Sequence, residues 1–164
     1  MPIAGWLTAL VCFGLVAAAA ALWLTPAKAP SVQVYFFQAD KPCAVSRPLP
    51  PDQAPLEVAM AELLKGPNEG EKAAGFSTQL PAGIKVRLIK AEREIAIIDF
   101  SGRLEAYGGG SNRVEGLVAQ IVYTATAVPG ISKAWIWLAG EKEVVLGGEG
   151  LVLDKPLGRG DLAY

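Results

Sequence analysis

The chain has 164 residues, carries 15 Lys+Arg against 16 Asp+Glu, and contains no histidine. A charge this close to neutral excludes the broad basic field that draws a protein to nucleic acid. Without histidine, the commonest general base, the commonest metal ligand and the usual Ser-His and Cys-His nucleophile pairs are all missing.

The length suits one ordinary domain plus an appendage, and the appendage comes first. From Pro2 to Ala27 there is no charged side chain, and Ile3 to Leu24 is almost purely apolar. Such a run is long enough to cross a bilayer and exceeds the apolar core of a cleaved signal peptide. Trp6 and Trp23 stand near its ends, about 26 Å apart at helical rise, close to the spacing of the two interfacial aromatic belts. Residues 1–27 are therefore predicted to be a single transmembrane anchor, with residues 28–31 a short proline-containing linker and residues 32–164 the folded domain. A cleaved signal ending at Ala27-Lys28-Ala29 is the rival reading. Lys28 and Lys41 are the first charges after the span, too small a bias to settle which side of the membrane the domain occupies. Cys12 lies inside the span and cannot easily meet Cys43, so the cysteines imply neither a disulfide nor a metal site.

Val32 to Phe37, "VQVYFF", has the β-branched and aromatic character of a strand. Asp40 to Pro55 is crowded with proline and is expected to be loop. Leu56, Ala59, Met60, Leu63 and Leu64 recur at helical spacing, and Gly66-Pro67 supplies a stop. "KVRLIKAEREIAIIDF" (85–100) holds two apolar runs around the polar "AERE", as an antiparallel hairpin with a slightly long turn would. After Gly108-Gly109-Gly110, Asn112 and Glu115 form a capping-box pattern. Val114, Leu117, Val118, Ile121, Val122, Ala125 and Val128 then make an apolar helical stripe. Pro129-Gly130 ends the helix, "ISKAWIWL" alternates as a strand, and "EVVLGG" with "GLVLD" forms a closing hairpin. The expected fold is α+β: a mixed sheet in βαββαβ order with two helices on one face, followed by a terminal hairpin.

Certain of these residues resemble the GerMN, or germane, family of sporulation, germination and other bacterial envelope proteins. The matching pieces are "LLKGP" (63–67) with Glu71 and Gly75 after it, "LP" (80–81), "IDFS" (98–101), "QIVYTATAVPGISKAWIWLAG" (120–140) and "KPLGRGD" (155–161). The family's usual "QIVYTLT" reads "QIVYTAT" in this chain. The resemblance implies a domain on the outer side of the cytoplasmic membrane that binds or assembles, without established catalysis. Its expected partners are the membrane, through the N-terminal helix, and envelope proteins or further copies of itself.

Asp99 ends an apolar strand, where an acid could serve catalysis. With no histidine, second placed carboxylate or nucleophile beside it, its expected role is to accept hydrogen bonds from the following turn or from the next helix start. Glu71 is read the same way, and Arg159 with Asp161 could form a terminal ion pair. The triple glycine lacks both nucleotide-loop patterns, so no cofactor is implied. Gln120 and Thr124, four apart on the polar side of the second helix, are expected to meet solvent, a cap-like role or a partner. Trp135 and Trp137 share one face of a strand, opposite Ala134, Ile136 and Leu138, and await a cover, either the closing hairpin or a second protein. A binding or assembly module using Trp135, Trp137, Gln120 and Thr124 thus stands against a small-ligand or cell-wall-glycan binder, or an enzyme built on Asp99 and Glu71.

Overall fold

A computed structural model describes residues 29–101, 104, 111–146 and 151–164, with the backbone alone at Ser111 and Asn112. The expected anchor, the cleavage site, Cys12 and the triple glycine lie outside the described residues. Among the described residues, no helix is long and apolar enough to cross a membrane.

The domain opens on a hairpin, β1 (Ser31–Gln38) antiparallel to β2 (Lys41–Pro48). The stretch after Asp40 is therefore strand where loop was expected. Proline cannot donate to a ladder and is confined to strand ends and sheet edges. Pro42 and Pro48 sit near the two ends of an edge strand, opposite Phe37 and Ser31. Between them Cys43, Val45 and Arg47 turn inward while Ala44 and Ser46 are exposed. Ala39 and Asp40 both take positive φ, 48° and 61°, and form the tight two-residue connection without glycine or asparagine.

Helix α1 (Pro55–Lys65) starts with a proline at its first position and buries Leu56, Val58, Ala59, Met60 and Leu63. Gly66 follows at φ 77°, where its lack of a Cβ avoids steric strain. A one-turn helix, α2 (Glu69–Ala73), was not foreseen, although its capping box between Asn68 and Glu71 is explicit in the residues.

β3 (Lys85–Glu92) and β4 (Ile95–Ser101) form the expected hairpin, but Arg93 and Glu94 close it in a two-residue turn with Arg93 at φ 55°, shorter than anticipated. Helix α3 (Ser111–Ala125) crosses over to β5 (Lys133–Leu138), which lies parallel to β4. The helix begins at Ser111, so Asn112 is inside its first turn rather than preceding it as a cap. β6 (Val144–Leu146) and β7 (Leu151–Leu153) close the chain as the expected hairpin, and a 3-10 turn occupies Arg159–Asp161.

The fold is α+β, but among the described residues the strands do not make one continuous mixed sheet. They form an antiparallel pair β1-β2, a three-stranded sheet in the order β3-β4-β5, and the pair β6-β7. One core joins them. Val34 and Phe36 from β1, Met60 and Leu63 from α1, Ile98 and Phe100 from β4, Val118, Ile121 and Val122 from α3, and Leu146 and Leu153 from the last hairpin belong to a single buried cluster. Burying such side chains stabilises by roughly 1.5–3 kcal/mol each, set against the ordering of the chain. Gly116 lets α3 come close to β1: a Cβ there would lie 3.1 Å from Gln79 Cγ and 3.3 Å from Phe37 Cζ.

Candidate functional site

Gln120 and Thr124 do not face solvent. Every residue from Gly116 to Val122 is buried, and both Gln120 and Thr124 have no exposed surface. The reason is the outer edge of β1, whose backbone needs hydrogen-bond partners. Thr124 Oγ1 accepts from the backbone N–H of Tyr35 at 3.0 Å, and Gln120 Nε2 donates to the carbonyl of the same residue at 3.0 Å. Gln120 Oε1 also accepts from Gln79 N at 2.6 Å and from Thr78 Oγ1 at 3.3 Å. Two residues further along the edge, Phe37 and Ser77 exchange both backbone hydrogen bonds. Helix side chains and Ser77 thus take the place of a third strand beside β1.

Asp99 and Glu71 are committed to different elements and are not brought together. Asp99 is 4% exposed and accepts from Gly140 N at 3.0 Å, with Arg87 Nη1 at 3.6 Å from its other oxygen. It therefore secures a turn, but in place of the following turn or the next helix start that was expected, the turn is the one after β5, where Ala139 takes φ 54°. Glu71 accepts both terminal nitrogens of Arg47, at 2.6 and 2.7 Å, while completing the Asn68 capping box. Arg47 Nε reaches Glu62 at 3.2 Å, and its guanidinium lies 5.8 Å from the centroid of Phe36. β2, α1 and α2 are clamped by this one guanidinium. The hydrogen bonds from Arg47, aided by the Asn68 amide, hold the Glu71 carboxyl below its ordinary value against the opposing effect of desolvation.

Arg159 does not pair with Asp161. Asp161 accepts from Gly158 N, whereas Arg159 lies over a pair of mutually packed rings, 5.0 Å from the centroid of Tyr35 and 4.8 Å from that of Tyr123. It donates to the Tyr123 carbonyl at 3.0 Å and to Thr126 Oγ1 at 2.8 Å. A cation is favoured there by both the ring faces and the negative end of α3. Arg159→Met, which keeps the length of the stem and removes the charge and donors, should lower stability by about 1–2 kcal/mol. Chemical denaturation checks this, and an unchanged midpoint would contradict the role.

Trp135 and Trp137 stand on the other side of the three-stranded sheet. Ala96, Ile98, Phe100, Ala134 and Ile136 enter the core, while both tryptophans are half-buried and outside it. Among the described residues of the closing hairpin, Val144, Leu146 and Leu153 turn into the core while Val145 and Val152 are exposed. The indoles pack edge to face at 5.5 Å, Trp135 Nε1 donates to the Lys142 carbonyl at 3.2 Å, and Lys142 Nζ lies 5.0 Å from the Trp137 centroid. Register places Ile97 beside Trp135 and Asp99 beside Trp137, with Lys90 and Leu88 next in the same rows. Leu88 is 43% exposed. The four residues read from the sequence as one binding set therefore fall in two places, Gln120 and Thr124 in a buried seam and the tryptophans on an outer sheet face. Among the described residues no cluster of His, Cys, Asp and Glu could hold a metal ion.

A small α+β domain with its polar core residues engaged in joining a hairpin to a helix, and an aromatic, cation-fringed sheet face outside the core, is a scaffold with a surface. The chain belongs to the Germane (GerMN) family, described as "Sporulation and spore germination", which matches residues 33–144. Among solved structures it is similar to the tandem GerMN domains of the sporulation protein GerM from Bacillus subtilis, with 21% identity and a TM-score of 0.63 over 80% of this chain and 47% of that one. The chain thus spans about half of that tandem structure. The first GerMN domain alone gives 20% identity and a TM-score of 0.60 over 80% of this chain and 99% of that one. A Clostridium perfringens protein described as a candidate lipoprotein gives 20% identity and a TM-score of 0.59, covering 84% of this chain and 95% of its own. At this identity the structures speak for the fold. No curated protein matches the chain significantly.

Proposed function

We propose that the chain is a membrane-tethered, extracytoplasmic module of the bacterial envelope that binds or assembles without catalysis, in sporulation or germination where the host carries out those processes. The observation that carries this reading is the division of labour in the site. Asp99, Glu71, Gln120 and Thr124 are each engaged by neighbouring backbone or side chains, while the half-buried tryptophan pair lies outside the core. Aromatic side chains at a surface are favoured contacts for a partner. The apolar run from Ile3 to Leu24 supports the tether.

Two measurements test it. Protease added to intact spheroplasts should remove the domain, and a protected full-length band would reverse the topology. A photo-crosslinking amino acid placed at position 135 or 137 in the native membrane should capture a defined envelope component or lipid, whereas the same group on the exposed α2 should not; equal labelling from both would count against a specific face.

A further inference from the structure

We propose that the tryptophan face of the β3-β4-β5 sheet docks on the anionic headgroup surface of the membrane that the same chain enters; this rests on the tether proposed above. The face has a charge pattern unlike that of the chain as a whole. Its rows run Glu92, Ile95, Lys133; then Lys90, Ile97, Trp135; then Leu88, Asp99, Trp137; then Lys85 and Ser101. Arg87 adds a cation at the bulge, and Lys142 adds another over Trp137. Lys85, Arg87, Lys90, Lys133 and Lys142 therefore accompany Glu92 and the buried Asp99, although the chain's net charge is -1. Lys90 pairs with Glu92 and Arg87 lies near Asp99, which leaves a surplus of positive charge. Lys142 belongs to the turn beyond the strand, between Glu141 and Glu143, and joins the face by lying over Trp137.

The cations stand on both margins of the face, on β3 and on or just after β5, about 10 Å apart at ordinary strand spacing. Half-buried indoles lie along the β5 margin and exposed Leu88 on the β3 margin, with Ile97, only 5% exposed, in the row between. A planar surface with dispersed negative charge reaches both margins at once. Tryptophan suits the interfacial layer through its large apolar area; the Trp135 N–H is already given to the Lys142 carbonyl and the Trp137 N–H is buried, so the indoles offer ring surface. The tether joins the domain at one end of this face. α3 runs antiparallel to β1, since Gly116 packs at Phe37 while Thr124 meets Tyr35 nearer the strand start. β5 returns in the direction of β1, so the starts of both strands share one end of the domain. Between Leu24 and Ser31 the linking residues reach at most about 25 Å. A face held this close needs only weak attraction to stay docked, because tethering supplies a high local concentration.

The test uses the full chain carrying Trp6→Phe and Trp23→Phe, so that emission reports Trp135 and Trp137. It is reconstituted into phosphatidylcholine vesicles with and without phosphatidylglycerol, each with lipids brominated near the headgroup. On anionic vesicles the emission should shift to the blue and be quenched. On neutral vesicles, or in about 1 M salt, where the screening length falls to about 3 Å, both effects should vanish. Lys85→Gln, Lys90→Gln, Lys133→Gln and Lys142→Gln should each weaken docking by about fivefold without changing the circular dichroism. Equal emission in both vesicles overturns the proposal. So does a larger shift on adding soluble polyglutamate to the neutral vesicles, which would assign the face to an acidic chain. Alkaline carbonate extraction reports on the tether separately: a chain that is extracted, yet quenched when mixed with anionic vesicles, refutes the tether and keeps the docking face.

Discussion

Gln120→Leu should lower stability by about 3 kcal/mol, an appreciable part of the roughly 5–15 kcal/mol available to a domain. Leucine fits the apolar surroundings and the helix, so the loss isolates the hydrogen bonds. The substitution leaves the Tyr35 carbonyl and the Gln79 amide without the amide side chain that serves both, and a buried unsatisfied group costs about 1–3 kcal/mol. A drop in melting temperature of about 10 °C is expected. Thr124 offers the control, because Thr124→Ser keeps the oxygen that accepts from Tyr35 while Thr124→Val removes it. The valine variant should fall by about 1–2 kcal/mol and the serine variant by less. If leucine at 120 left the unfolding midpoint unchanged, the seam between β1 and α3 would not be a determinant of stability.

Arg47→Met should cost about 2 kcal/mol near neutral pH, and the cost should shrink in acid. Methionine retains much of the packing against Phe36 but leaves Glu62 and Glu71 without their shared cation. Hydrogen bonds to charged groups contribute about 1.5–3 kcal/mol, and the side chains of Arg47 and Glu71 are only 11% and 14% exposed, which limits screening by water. The folded Glu71 carboxyl lies below its ordinary value. Its contribution is therefore fully present above about pH 4.3, the unfolded value, and is lost as pH falls through the lower folded value. Glu69 and Glu92, also lowered by lysine neighbours, contribute to the acid slope of both proteins and cancel in the difference. Denaturation curves for both proteins from neutral pH to about pH 3 should converge. A constant difference would mean that the clamp acts through packing alone.

Much of the fold follows from periodicity. Both long helices, their stop signals, the β3-β4 hairpin and the alternation of β5 are legible because each buries one side against the core. What periodicity does not contain is the far side of a contact. Gln120 and Thr124 flank an apolar stripe and look like solvent residues until an open strand edge arrives beside them. A clue was nevertheless present, because Leu117, Val118, Ala119, Ile121 and Val122 surround Gln120 with apolar residues over more than one face, the pattern of a helix buried on several sides. β2 was hidden by its prolines, whose placement at strand ends could have been recognised from the alternation of Cys43, Val45 and Arg47. The tryptophan face followed directly from the two-residue period of β5, while its cationic fringe depended on the register of β3 and on a turn that folds Lys142 back, neither of which local spacing specifies. Arg159 was assigned to the nearest acid in sequence, but two rings and a helix end from distant parts of the chain were the stronger partners.

The sealing of β1 by a helix also sets an order of events. Tyr35 meets its partners across separations of 85 and 89 residues, so "VQVYFF" is synthesised long before the side chains that close its edge exist. Loop closure of that length is slow relative to forming the β1-β2 hairpin. During that interval the hairpin presents an apolar strand with an open edge, the kind of segment that pairs with other chains. Folding yield should then be limited by the arrival of α3, and the Gln-to-Thr seam acts as the catch that removes an aggregation-prone edge from circulation.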